Sequence, residues 1–420
     1  MPRVSSLPYR EAEKTCLLGL LACLSLAGLA CGPQHIASPS SSSPPVDAQG
    51  NIMPTRNATE IRAQLAVAVE LAPEDPQAAL RLALFDRDHA AISQAEQELK
   101  AVRKRFPQNA EASYQLGMLS LNIGHAAEAA PLLLEAAKRE QGRAEVQVMA
   151  GLACFRLDRY REAEIYARAA LKADSNSAGA YLLLARIYSN HGSAAQSRSA
   201  IKEYLKRSAD PAPGYYLLAR MYYRQADAAN AERAIQQALQ SHQDEGDYWA
   251  LLGHIYGDLN NGVRLTEAIA GYKKALTEKP ADSDVHASLG RALMRTQQWD
   301  QAIGELKIAM QNASDPGPLL YSLGQSLLRA GHAEEGHAAL AQYQAYQEYV
   351  RNSARLKGAI RAKPQDRESR YALIRLCIGY RQYSAARAAL DAAGRLGSKE
   401  PTWQKLDKEV AAALSQPEAP

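Results

Sequence analysis

The sequence predicts an all-α fold, a stack of helical hairpins repeated at a fixed period. Three observations carry this prediction. Of 420 residues 47% are hydrophobic, with Phe scarce at 3 and Tyr common at 21. Ala and Leu dominate with few Val or Thr runs, a mixture that favours helix over sheet. One order of residues returns every 34 positions along most of the chain, the mark of a repeat architecture. Within each return, positions 4, 7, 8 and 11 fall on one helical stripe and 20, 24 and 27 on another. Net charge is +4, too close to balance to point to nucleic acid.

The first element is a leader. Arg3, Arg10 and Lys14 stand against Glu11 and Glu13, and Thr15 to Ala30 is an uncharged, Leu-rich run of 16 residues. About 20 apolar residues cross a bilayer, so residues 1–30 read as a secretory signal rather than a spanning helix. Gly28 and Ala30 are small, and a cut after Ala30 leaves Cys31 as the first residue. This arrangement resembles a bacterial lipoprotein signal, and the resemblance makes Cys31 the lipid anchor. Gly28 stands where that family usually has Leu. Leu20-Leu21-Ala22 before Cys23 matches the letters better, but a cut there would expose the apolar run Leu24 to Ala30. Plain secretion and an uncleaved anchor are the remaining readings. Residues 31–57 are rich in Ser and Pro with no apolar period. Such a segment stays disordered and forms a tether of roughly 28 Å.

The repeat is clearest from Gly246, where Trp249, Leu252-Gly253, Tyr256, Ala268, Tyr272, Ala275 and Pro280 follow in order. Repeats start near Pro76, Ala110, Ala144, Ala178, Ala212, Gly246, Ser283, Gly317 and Arg367. The second-helix alanine returns at Ala95, Ala129, Ala163, Ala231, Ala268, Ala302 and Ala386, with Ser197 and Gly336 in its place twice. The order W, LG, Y, A, F/Y, A, P is similar to the tetratricopeptide repeat signature, and by it the chain is identified as a member of that family. The resemblance implies a right-handed superhelix (an α-solenoid) of about nine helix-turn-helix repeats. Positions 8 and 20 are small because the two helices of a repeat cross there, so Gly117→Leu is expected to overpack.

The remaining segments are placed by this register. Residues 58–75 fit an opening half-repeat helix, 76–347 hold repeats 1–8, 367–398 hold repeat 9, and 399–420 form a capping helix and tail. Repeat six carries three extra residues around Asn260-Asn261-Gly262. The second helix of repeat eight runs from about Ala333 to Ala362, with residues 348–366 as its extension and turn. Tyr343, Tyr346, Val350, Leu356 and Ile360 give it an apolar stripe, which either packs on repeat nine or meets a partner; packing within the chain is favoured.

No catalytic arrangement follows from spacing, so no enzyme activity and no cofactor are expected. His332 and His337 are five apart and off one helical face, so no metal site is expected either. Cys154 and Cys377 fall at position 11 of their repeats and read as small core residues.

What remains is surface. In tetratricopeptide superhelices the first helices line a concave groove, and the resemblance places positions 2, 5, 9, 12 and 13 there. Positions 9 and 13 supply Arg186, Arg220, Arg291, Arg375, Arg156, Arg224, Arg295 and Arg329, with Asn190. Positions 5 and 12 supply Tyr114, Phe155, Tyr216, Tyr223, Tyr321 and Tyr371. The acids Glu111, Glu145, Asp247, Asp284 and Glu368 at position 2 read as complements to the helix dipole. One reading is a solvated face that favours Arg. The sharper one is a groove of Arg forks and Tyr rings for an acidic protein or peptide partner.

By resemblance, then, the expectation is a scaffold of the bacterial envelope, on the periplasmic face of the outer membrane because Gly32, not Asp, follows Cys31. Secretion into the periplasm and inner-membrane anchoring are the alternatives. Such lipoproteins serve assembly of pilus, outer-membrane protein or polysaccharide export machinery. Self-association through helix 333–362 and glycan binding for a polysaccharide export complex are alternative functions. The membrane is met through the anchor only, nucleic acid is not expected, and the sequence sets no oligomeric state.

Overall fold

The computed structural model describes residues 58–259, 263–311, 313, 315–395 and 401–415. The signal, Cys31, the tether, the insertion at 260–262 and the last residues 416–420 lie outside them. All regular structure among the described residues is helical, and no helix there is long and apolar enough to cross a membrane. The chain divides into two compact units between Ile255 and Tyr256, inside a π-helical turn, Ile255–Leu259.

Unit one opens with α1 (Ala58–Leu71), followed by five hairpins. These are α2 (Pro76–Asp88) with α3 (Ile92–Arg105), α4 (Ala110–Asn122) with α5 (Ala126–Arg139), and α6 (Ala144–Arg156) with α7 (Tyr160–Ala173). Next come α8 (Ala178–His191) with α9 (Ala194–Arg207), then α10 (Ala212–Arg224) with α11 (Ala228–Ser241), and α12 (Gly246–His254) ends the unit. Unit two begins with α13 (Leu265–Glu278). Its hairpins are α14 (Ser283–Arg295) with α15 (Trp299–Gln311), α16 (Gly317–Ala330) with α17 (Ala333–Ala362), and α18 (Arg367–Gly379) with α19 (Tyr383–Gly394). α20 (Pro401–Ser415) closes it. Within each unit every helix packs on the next, and first helices also touch first helices: α4–α6, α6–α8, α8–α10 and α10–α12 in unit one, α14–α16 in unit two. The first helices therefore form a face of their own within each unit.

The hairpins close on their small residues. Ala95, Ala129, Ala163, Ala231, Ala268, Ala302 and Ala386 are all 0% exposed. Ser197 takes the same position because its Oγ donates to the Ala185 carbonyl at 3.1 Å, which satisfies the buried hydroxyl. Opposite, a Cβ added at Gly117 would stand 2.6 Å from Leu133 Cγ, and one at Gly290 would stand 2.8 Å from Leu306 Cγ. No side chain fits there without displacing its neighbour.

The turn is equally regular in every hairpin except α8–α9, where Gly192 is extended with φ −138°. Position 15 holds a left-handed residue at Ala90, Gly124, Asp158, Ala226, Gln297, Gly331 and Arg381. The next amide reaches back to the carbonyl of position 11: Ala91 to Asp86 (2.8 Å), Arg159 to Cys154 (2.9 Å), Gln382 to Cys377 (2.8 Å). This six-to-one bond is the Schellman closure, which satisfies a carbonyl the helix end leaves open. First helices start on caps that precede them, as Asn109 accepts from Ala112 N at 2.9 Å and Asp282 from Val285 N at 3.1 Å. Glu111 stands in the first turn of α4, where it complements the helix dipole, and is also paired with Arg143, the residue before α6.

α17 is 30 residues long, and its second half packs on α18 and α19. Tyr349 is buried with Tyr371, Ile374, Cys377 and Leu390, while Tyr346, Leu356 and Ile360 pack at the edge. Val350, read from the sequence as part of the stripe, is 41% exposed. One residue is 100° of helix rotation, and the neighbouring Tyr349 takes the inner position, its Oη 3.7 Å from Cys377 Sγ.

Candidate protein-binding face

The arginines at positions 9 and 13 sit on the first helices, one turn apart. On α10 they are Arg220 and Arg224, and on α8 Arg186 is followed one turn later by Asn190. The Arg220 guanidinium lies over the Tyr216 ring at 5.7 Å, and Tyr216 stacks on Tyr248 at 5.0 Å. Arg224 Nη2 donates to Ser189 Oγ at 2.6 Å, which ties α10 to α8 beside Asn190. Tyr223 is tilted against His254 at 6.3 Å. Arg156, from α6, is half-buried.

Arg186 differs from the rest. It is only 9% exposed, and its guanidinium has no hydrogen-bond or ion-pair partner among the described residues. The reason is local: neither α8 nor α10 contains an Asp or Glu. Its stem is packed among its neighbours while the nitrogens keep contact with water, so the charge is open to an incoming group.

Burial corrects the expected ring lining. Tyr114 (5%), Phe155 (5%), Tyr216 (7%) and Tyr371 (4%) are core residues. Tyr216 is covered by Tyr248 of the next first helix at 5.0 Å, and Phe155 by Tyr160 of its own hairpin at 5.6 Å. They shape the face from beneath and do not line it. Burial pushes the Tyr114 hydroxyl up to about 12, and Arg143 covers its ring at 4.9 Å. Arg143 was missed by sequence reasoning. The available signal was a cation at the residue before a helix start, where Asp, Asn or Ser is usual.

Unit two has its own set. Arg295 Nη1 donates to the Gly257 carbonyl at 2.6 Å, and Arg291 Nη2 to Ser288 Oγ at 3.1 Å. Arg329 and Arg375 are exposed. Tyr321 is 48% exposed and tilted against Tyr343 at 5.3 Å. The structure thus brings Arg220 to Tyr216 and Arg224 to the α8 end, and leaves Arg329, Arg375 and Tyr321 open.

The comparisons agree with this architecture. Tetratricopeptide repeat models match residues 264–323 and, overlapping, 88–145, 114–180 and 148–215. The chain is a tetratricopeptide repeat protein. No curated protein matches it at a significant level. Among solved structures, a monomeric mutant of IFIT1 with Gppp-AAAA is 15% identical, with a TM-score of 0.51 over 81% of this chain and 87% of that one. Pseudomonas aeruginosa pilF is 15% identical, with a TM-score of 0.44 over 59% of this chain and 99% of that one. A thermophilic tetratricopeptide protein of Thermus thermophilus is 21% identical, with a TM-score of 0.40 over 44% of this chain and 99% of that one. These likenesses concern the fold.

Proposed function

We propose that this protein is a non-enzymatic scaffold of the bacterial cell envelope that binds an acidic protein or peptide on the first-helix face of unit one. Tetratricopeptide stacks are protein–protein interaction scaffolds, and the chemistry of this face narrows the partner. The observation that carries the reading is Arg186, whose stem is packed and whose guanidinium has no carboxylate partner, on a face where neither α8 nor α10 holds an acid. A partner carboxylate would supply the missing charge-assisted bonds. Arg220 and Arg224, one repeat on, would meet a second acid, and the tyrosines beneath them stiffen the surface. The leader that ends before Cys31 and the Ser/Pro-rich tether support attachment to an envelope membrane, from which the stack recruits components of an assembling complex.

The test is charge reversal on the face. Arg220→Glu with Arg224→Glu should abolish binding of acidic peptides on an array, and with it capture of the envelope protein that the wild type retains, while the melting temperature holds. Unchanged binding would overturn the assignment, as would a preference for single-stranded RNA over every acidic peptide.

A further inference from the structure

We propose a second binding site in unit two, for an anionic amphiphile with a single aliphatic chain. The extension of α17 beyond the repeat period creates a cleft of about 350 Å³ against α18 and α19. Its floor is apolar: Ile360 from α17, Leu373 from α18, and Ala389 and Ala392 from α19. Its rim carries three cations, Lys357 and Arg361 from α17 and Arg370 from α18.

This combination has no use in packing. Lys357 and Arg361 stand four residues apart on one helix, a like-charge spacing that destabilises a helix. Arg370 adds a third positive charge from the facing helix. None of the three has a carboxylate partner among the described residues. Their hydrogen bonds go to backbone: Arg370 Nε and Nη2 donate to the Pro364 carbonyl at 3.3 and 2.7 Å, and Arg361 Nε to the Lys357 carbonyl at 3.4 Å. The Pro364 contact holds the Arg370 fork in one orientation and leaves Nη1 unengaged. A small, largely apolar cleft with a few converging polar groups is the form of a small-molecule site. Its volume lies at the low end of such sites, which suits an alkyl chain. Its charge requires an anionic head, a carboxylate or a phosphate ester.

The experiment is calorimetric titration of the protein with decanoate, decanol and decyltrimethylammonium, all below their micelle concentrations. Decanoate should bind saturably at one site, with decanol weaker by about tenfold or more, the value of one charge-assisted contact, and the cation not binding. Lys357→Glu with Arg361→Glu changes exposed side chains only, and should abolish decanoate binding at an unchanged circular dichroism spectrum and melting temperature. Ala392→Trp should block the cleft with the charges intact. Equal binding of decanoate and decanol would overturn the proposal. So would non-saturable binding, or wild-type affinity in both variants. Decyl phosphate run beside decanoate distinguishes the two head groups.

Discussion

At the scale of single residues, five side chains hold a backbone that suits glycine. Ala90, Asp158, Ala226, Gln297 and Arg381 are left-handed at the hairpin turn, with φ between 55° and 60°. A left-handed L-residue costs about 1–2 kcal/mol, and glycine avoids most of that at an entropic cost of its own. Ala226 is exposed, so Ala226→Gly should raise stability by roughly 0.5–1 kcal/mol in urea unfolding. A decrease would contradict the turn assignment. The opposite change applies at the crossing. Gly117→Leu should cost on the order of 1–3 kcal/mol, because its Cβ meets Leu133 at once. The crossing was legible in the sequence because position 20 stays small in every repeat and position 8 in all but the ninth, which has Ile374. The turn was not: two of the seven left-handed residues are glycine, so composition does not mark it.

A pH effect also belongs to single residues. Arg62 of α1 bonds Asp86 of α2 at 2.8 Å and Glu98 of α3 at 3.2 Å, so one cation faces two carboxylates. Asp86 is 1% exposed, and Glu98 Oε2 is buried without a partner. Burial first, and then the Asp86 charge, push Glu98 from an ordinary 4.5 up to about 7. The folded chain therefore keeps a proton that the unfolded chain releases. That contribution is fully present below the unfolded value and is lost as pH rises through about 7. Glu98→Gln should flatten the fall in unit-one stability between about pH 5 and pH 7.5, seen as a melting temperature that no longer drops. A fall of the same size in the variant would place the effect elsewhere. Asp86 itself stands at position 11, where the other repeats place core residues such as Cys154 and Cys377. Sequence reading found the position and passed over the acid, because its partner lies outside the repeat.

At the scale of elements, the long helix is the main departure from the period. Its length could be read from the missing break between Ala333 and Ala362, but its inward face could not. Tyr346, Tyr349 and Val350 are all apolar enough to be buried, and only the packing of α18 chooses among them. Tyr349→Ala should cost about 3–5 kcal/mol in unit-two unfolding, as for other buried aromatic truncations. Tyr349→Phe should cost less, about 1 kcal/mol, since the hydroxyl meets the Cys377 sulfur at 3.7 Å and bonds the Ser353 side chain. Equal losses in the two variants would mean that the hydroxyl, and not the ring, holds the helix.

At the scale of the whole molecule, stability is the sum of repeats and their interfaces, and the function proposed lies on a surface the repeats share. The repeat register was legible because a small set of side chains recurs. The first-helix face proposed to bind was half legible. Periodicity located the arginines, but burial depends on how neighbouring first helices meet, and that took Tyr114, Phe155, Tyr216 and Tyr371 into the core. Attachment is a separate question at this scale. Cys31→Ser should move the protein from the membrane to the soluble fraction, and a protein still in the membrane fraction would refute anchoring there.

The most direct test of the binding face is Arg186→Met, read by melting temperature and by partner binding together. A residue kept for a ligand is not needed for the fold, and an apolar side chain of similar length keeps the packing of its stem. The expected result is a melting temperature equal to or above wild type with binding of the acidic partner lost. A melting temperature several degrees lower, with binding retained, would contradict the account and make Arg186 a structural residue.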